Sequence, residues 1–219
     1  MIIVFVGPPG SGKGTQSDMV KDILDVDHIA TGDILRDEIQ RKTPLGVKIK
    51  DIIERGDLLD NNDILSALET RITNIPDEKI VILDGFPRTI EQAKLLQEKY
   101  TGPLKVLHFH IDETRLRERL LSRYSCANCS AVYNEKTNPT KEKNKCDACG
   151  SAEFIVRKDD TEEVFEQRMK NYKEKTQPLI DFYSRNGVLY SIDADKNKDE
   201  IHKEVMRFIK ENVKKGIKA

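Results

Sequence analysis

Hydrophobic positions in this chain fall into short unbroken runs, separated by longer segments whose apolar residues recur at helical spacing. The first run, Ile2 to Val6, is continuous and mostly β-branched, as in a strand buried on both faces of a parallel sheet. Similar runs recur at Ile80–Leu83, Val106–Ile111 and Val188–Ile192. Between them, Thr89–Tyr100 and Asp112–Arg123 carry helix-like spacing, with Asp112 as an N-cap, and Thr161–Tyr183 reads as one long helix. Strands alternating with helices predict an α/β fold, a parallel sheet with right-handed crossovers and helices on its flanks.

Two stretches break the alternation. Residues 30–60 are helical and polar in pattern, contain no strand-like run, and are interrupted by Pro44-Leu45-Gly46. Residues 124–158 are rich in Cys and Lys and poor in apolar side chains. Neither can build a large core alone, so each is expected to be a small subdomain mounted on the α/β core.

Composition narrows the classes. The 219 residues suit one full domain with small insertions. The 37 basic and 38 acidic side chains leave a net charge of -1 and are mixed in sign, which disfavours an acidic tail or a basic nucleic-acid arm. No apolar run approaches the ~18–20 residues of a membrane helix. Met1–Val6 is too short for a signal-peptide core and lacks a basic lead. The expectation is a soluble, cytoplasmic protein without a membrane partner.

Gly7-Pro8-Pro9-Gly10-Ser11-Gly12-Lys13-Gly14-Thr15 follows the first strand directly and opens an amphipathic helix. A loop in that context points backbone N–H groups at a phosphate, and Lys13 would reach the β- and γ-phosphates. The strict P-loop pattern has Ser or Thr directly after the Lys; here Gly14 intervenes and the hydroxyl arrives at Thr15. A glycine-rich turn without a ligand is the bland alternative. Ile80-Val81-Ile82-Leu83-Asp84 delivers a carboxylate at a strand end, where a magnesium partner is expected, although a structural Asp would look the same.

The sequence continues with Gly85-Phe86-Pro87-Arg88-Thr89 after Asp84, and the polar insert opens with Ala30-Thr31-Gly32-Asp33-Ile34-Leu35-Arg36. With the GxPGxGKGT loop, Gln92 beyond Arg88, Arg119 and Arg123, and Arg157-Lys158-Asp159-Asp160 with Arg168, these motifs resemble the adenylate kinases along essentially the whole chain. The resemblance implies reversible Mg2+-dependent phosphoryl transfer from ATP to AMP, giving two ADP. It implies a core of residues 1–29, 60–123 and 159–219, an NMP-binding insert at 30–59, and a donor-side LID at 124–158. It places the donor on Gly10, Ser11, Gly12, Lys13, Gly14, Thr15, Arg119, Arg123, Val132, Tyr133 and Lys196. It places AMP on Thr31, Arg36, Asp57, Leu58, Leu59, Gly85, Phe86, Pro87, Arg88, Gln92, Arg157 and Arg168. Catalysis would fall to Lys13, Asp84, Arg88, Arg123, Arg157 and Arg168. Electrostatics agrees, because five phosphates in one cleft need many guanidinium groups, which stay charged and bind phosphate bidentately. Thr31 favours AMP over pyrimidine monophosphates by the same resemblance, whereas the donor is ATP or GTP. Asp60 departs from the family's usual Pro after Gly56-Asp57-Leu58-Leu59.

All four cysteines lie in Cys126-x2-Cys129-x16-Cys146-x2-Cys149. Paired CxxC knuckles predict a structural zinc held by four thiolates, with two disulfides or a regulatory thiol set as alternatives. A zinc ribbon beside Lys136, Lys141, Lys143 and Lys145 raises a rival reading, a nucleic-acid-binding module. Near-neutral charge and few aromatics beyond Tyr124 and Tyr133 argue against a nucleic-acid partner. A P-loop switch NTPase would leave the acceptor arginines without a purpose. His28, His108, His110 and His202 are scattered and read as structural or surface residues. A monomer is the default.

Overall fold

The computed structural model describes residues 1–72, 75 and 79–216. In chain order the first elements are β1 (Ile2–Val6), α1 (Lys13–Lys21), β2 (Val26–Ala30), α2 (Thr31–Gln40), α3 (Pro44–Glu54), α4 (Asn61–Ile72), β3 (Ile80–Asp84), α5 (Ile90–Lys99) and β4 (Leu104–His110). They are followed by α6 (Glu113–Leu121), β5 (Arg123–Cys126), β6 (Val132–Asn134), β7 (Phe154–Ile155), α7 (Glu162–Asn171), a π-helical turn at Tyr172–Thr176, α8 (Pro178–Arg185), β8 (Leu189–Asp193) and α9 (Lys198–Gly216).

Five strands form one sheet in the order β2-β3-β1-β4-β8, and every pairing is parallel. β1 is central, with Val4 opposite Leu83 on one side and Val106 on the other. Its side chains alternate between two cores. Ile2, Val4 and Val6 pack with Val81, Leu83, Phe86, Leu96 and Tyr183, while Ile3 and Phe5 pack with Ile82, Phe109, Leu120, Phe165 and Ile209. Each such fully buried side chain contributes ~1.5–3 kcal/mol of transfer free energy, and covering both faces explains the unbroken apolar run. The strand ends Val6, Asp84 and His110 therefore lie at one sheet edge, where open α/β sheets carry their ligands.

Asp112 caps α6 as expected, its Oδ1 accepting from the Thr114 N–H at 2.9 Å. Three details differ from the sequence reading. β2 was hidden because Val-Asp-His-Ile-Ala has no apolar run; as an edge strand pairing only with β3, it buries just Val26 and Ile29. Pro44 starts a helix instead of merely interrupting one: it occupies the first turn of α3, and Thr43 Oγ1 accepts from the Gly46 N–H at 3.0 Å. The segment Thr161–Tyr183 is not uniform, because an i→i+5 bond from the Gln177 N–H to the Tyr172 carbonyl, 2.7 Å, widens its middle turn.

The Cys-rich stretch forms a second, three-stranded antiparallel sheet in the order β6-β5-β7. Its own core is small: Tyr124, Tyr133 and Phe154 touch one another, with ring centroids 5.3–5.9 Å apart, beside buried Cys126 and Cys146.

Candidate active site

The loop between β1 and α1 folds as a phosphate cradle should. Gly10 and Gly12 take φ of 82° and 89°, the left-handed region that a side chain disfavours, and let the loop turn tightly into α1. Lys13 Nζ folds back over the loop and donates to the Gly7 and Pro8 carbonyls at 2.8 Å and to Ser11 Oγ at 3.1 Å. Burial lowers its pKa to about 8, with Asp84 opposing that shift and Arg88 and Arg123 adding to it. Asp84 ends β3 beside β1, and its Oδ2 would lie 3.5 Å from a Cβ at Gly14. Among the described residues this carboxylate has no hydrogen-bond or ion-pair partner.

The cradle opens into a cavity of about 590 Å³ lined by Gly10 through Gln16, Asp84, Arg36, Arg88, Arg119, Arg123, Arg157, Arg168, Val132, Tyr133 and Lys196. Every donor-side residue expected from the sequence lies on this one wall system, although the residues come from distant segments. Arg119 Nη1 donates to the Ala194 carbonyl at 2.8 Å, and the Arg119 carbonyl accepts from Asn134 Nδ2 at 2.7 Å, so β6 is tied to α6. Lys196 turns to Glu204 at 2.6 Å. Tyr133 reaches the cavity, yet its ring is packed inside the small sheet and its hydroxyl contacts Cys146 Sγ at 3.3 Å.

Cations crowd the wall. Burial, and then Arg168, lower the Arg88 pKa to about 10; burial, and then Arg123 and Arg36, do the same for Arg157. Two buried carboxylates hold the others in place. Asp160 receives a bidentate contact from Arg123, Nε to Oδ2 at 2.7 Å and a second bond to Oδ1, while Asp159 pairs with Arg168. Arg168 Nη1 also lies 3.8 Å from Asp160. The sequence alone gives Asp159-Asp160 no role, its only signal being two adjacent carboxylates after Arg157-Lys158.

A smaller cavity of about 70 Å³ adjoins the first, lined by Thr31, Arg36, Asp57, Leu58, Leu59, Gly85, Arg88, Gln92 and Arg168. Arg36, Arg88 and Arg168 face both. Arg88 is fixed on all sides: its Nε donates to the Gly85 carbonyl, its N–H to Gln92 Oε1, both at 2.8 Å, and its carbonyl accepts from Thr176 Oγ1 at 2.9 Å. Arg36 pairs with Asp33 at 2.5 Å. Thr31 Oγ1 is buried and unpartnered among the described residues. Pro87 borders the large cavity, whereas Phe86 lies beneath the site in the core and lines neither. Asp60, the departure from the family pattern, caps α4 by accepting from the Asp63 N–H at 2.9 Å and sits 3.9 Å from Lys48 Nζ. It stabilises the loop's exit by another means than a proline ring.

The four cysteines converge, their sulfurs all within 4.8 Å of one another. Both knuckles make the same turn. The Ser130 N–H donates to the Cys126 carbonyl and the Gly150 N–H to the Cys146 carbonyl, with positive φ at Ser130 and Gly150. Cys126–Cys149 and Cys129–Cys146 stand 3.6 and 3.5 Å apart, far beyond the ~2.05 Å of a disulfide and near the ~3.8 Å edge of a tetrahedral zinc thiolate site. The set is compatible with zinc. Desolvation beside the other sulfurs pushes the Cys129 thiol up; at Cys146 it acts the same way but is outweighed by the Tyr133 hydroxyl and by the Cys149 and Ala148 N–H groups, which hold that thiol down.

Comparison with known proteins agrees with this geometry. The family profile described as adenylate kinase matches residues 5–188. The adenylate kinase of Rickettsia conorii (strain ATCC VR-613 / Malish 7) is 38% identical over 212 residues, 97% of this chain and 100% of that protein. Those of Borrelia duttonii (strain Ly) and Borrelia turicatae (strain 91E135) are 43% and 42% identical over 209 residues, 95% of this chain and 97% and 99% of theirs. The chain therefore belongs to the adenylate kinase family, the nucleoside-monophosphate kinases that move a phosphoryl group between ATP and AMP.

Proposed function

We propose that the chain converts ATP and AMP reversibly into two ADP, with the donor in the large cavity and AMP in the small one. The supporting observation is the wall shared by the two cavities: Arg36, Arg88 and Arg168 face both, where an in-line transfer would place the moving group. Lys13, Arg88 and Arg157 are disfavoured as cations by burial and by neighbouring arginines, a cost that an arriving anion would relieve, so electrostatic energy is held ready for the phosphates. Lys13 binds the donor phosphates, Arg119 and Arg123 hold the donor side, and Arg88 and Arg36 hold the acceptor phosphate. Arg157 and Arg168 flank the transferred group, and Asp159 and Asp160 orient arginines without touching substrate. No general base is needed, since phosphate oxygens are ionised at neutral pH. Magnesium, bound with the nucleotide, supplies charge neutralisation and orients the phosphates. The unpartnered Asp84 and the Thr15 hydroxyl suit a hard, oxygen-seeking cation.

Thr31 Oγ1, buried and unpartnered in the acceptor pocket, is a ready hydrogen-bond partner for an adenine edge. Residues 30–59 and 124–158 are assigned as inserts that close over AMP and donor, excluding the water that would otherwise take the phosphoryl group. Zinc is assigned to Cys126, Cys129, Cys146 and Cys149 as a structural ion, since four thiolates leave no open position. We place the protein in the cytoplasm as a monomer; no helix among the described residues is long and apolar enough to cross a membrane. The decisive experiment is a coupled assay crossing AMP, CMP, UMP and GMP with ATP and GTP. Phosphorylation of AMP is expected, with the donor pair showing whether ATP or GTP is preferred. Steady ATP hydrolysis independent of any monophosphate would refute the reading.

A further inference from the structure

The π-helical turn at Tyr172–Thr176 interrupts a segment whose spacing reads as one α-helix, and a mid-helix i→i+5 turn needs a reason. Two polar side chains, one just before the turn and one at its last position, supply one. Asn171, 5% exposed, donates through Nδ2 to the Gly56 carbonyl at 3.1 Å, at the start of the Gly56–Leu59 loop that lines the small cavity. Thr176, 7% exposed, donates through Oγ1 to the Arg88 carbonyl at 2.9 Å. One turn before Asn171, Gln167 Nε2 donates to Asp57 Oδ1 at 2.9 Å, and Arg168 follows directly.

On an α-helix, residues five apart stand about 140° apart around the axis, so Asn171 and Thr176 would diverge. The side chain one turn beyond Asn171 would be Lys175, which is exposed to solvent. A π turn takes more than four residues to come round, and the observed bond from the Gln177 N–H to the Tyr172 carbonyl marks where it does so. Thr176 is thereby brought above Asn171. The geometry points to a positioning device: the π turn lets one helical rod hold both acceptor segments, the Gly56–Asp57 loop and the Arg88 backbone, at a set distance from Arg168. Asn171 and Thr176 are positioning residues for AMP. Both border the large cavity as well, but their polar side chains are engaged by the Gly56 and Arg88 carbonyls, through which they act.

This inference rests on the acceptor assignment above. The test measures KM for AMP and for ATP separately, with melting temperature, in the wild type, Asn171→Ala, Thr176→Val, Thr176→Ser and the double variant Lys175→Thr/Thr176→Val. Loss of one buried hydrogen bond should raise KM for AMP about tenfold in Asn171→Ala and Thr176→Val, with KM for ATP nearly unchanged. Thr176→Ser should restore it. The double variant should not, because position 175 faces water. If it does restore AMP affinity, the π register is not what places the hydroxyl, and the inference is overturned. Equal rises in both KM values would also overturn it, as a general structural effect. A wild type that uses AMP while both single variants keep its KM overturns the inference and spares the acceptor assignment. A wild type that does not use AMP removes both.

Discussion

Lys13 shows how one residue's chemistry depends on everything around it. Its position after Gly12 is legible in the sequence, but its lowered pKa of about 8 comes from burial among Arg88 and Arg123, which lie more than 70 positions away in the chain. The sign of its linkage follows. The free enzyme at about pH 8.5 holds Lys13 partly neutral, whereas donor phosphates favour the ammonium form, so binding must take up a proton. The γ-phosphate is already ionised at that pH and contributes little. Calorimetry of ATP binding in two buffers of different ionisation enthalpy should show net uptake near pH 8.5, fading towards pH 7, with affinity falling as pH rises above about 8. Lys13→Met should abolish the uptake and most turnover while leaving the fold intact; unchanged uptake would assign the proton to another group. Asp160 makes the converse point, since its side chain is fully buried and its value lies in fixing Arg123.

Among the elements, the α2–α3 pair over the acceptor cavity rests on one small residue. A Cβ at Gly46 would stand 2.0 Å from the Glu38 carbonyl oxygen, so the two helices meet backbone to backbone. Gly46→Ala must separate them, and overpacking of this kind costs about 1–3 kcal/mol. The expected outcome is a lower melting temperature together with a raised KM for AMP, since α2 carries Arg36 and α3 leads into the Gly56–Leu59 loop; unchanged melting would show that the pair is loosely packed. Sequence pattern located these helices but read Gly46 as part of a breaker, because a glycine required by packing looks the same as one required by a turn. The π turn was hidden for a related reason: the apolar spacing of Phe165, Met169, Leu179 and Tyr183 suits a continuous helix, and the departure serves polar contacts to other segments.

At the scale of the whole molecule, the parallel sheet carries a large apolar core on each face, while the small Cys-rich sheet has only three aromatic rings at its centre. Its stability is therefore expected to depend on the metal. Purified protein should carry about one zinc per chain and no reactive thiols. Cys146→Ala with Cys149→Ala, or chelation under denaturing conditions, should lower the thermal midpoint and reduce activity only in part. Metal-free protein with two disulfides would refute the site. Abolished catalysis at an unchanged midpoint would refute a purely structural role.

Local information was sufficient wherever a feature depends on neighbours in sequence. The buried strand β1, the capped helix after Asp112, the phosphate loop and the two CxxC knuckles are all of this kind, because strand burial, capping and turn formation are decided within a few residues. Order along the chain also identified the arginines as a set through their family motifs. Tertiary structure alone decided which carboxylate holds which arginine, that Phe86 serves the core and not a cavity, and that β2 is a strand at all. These depend on contacts between segments tens of residues apart, and no periodicity in the sequence records which distant partner a side chain will meet.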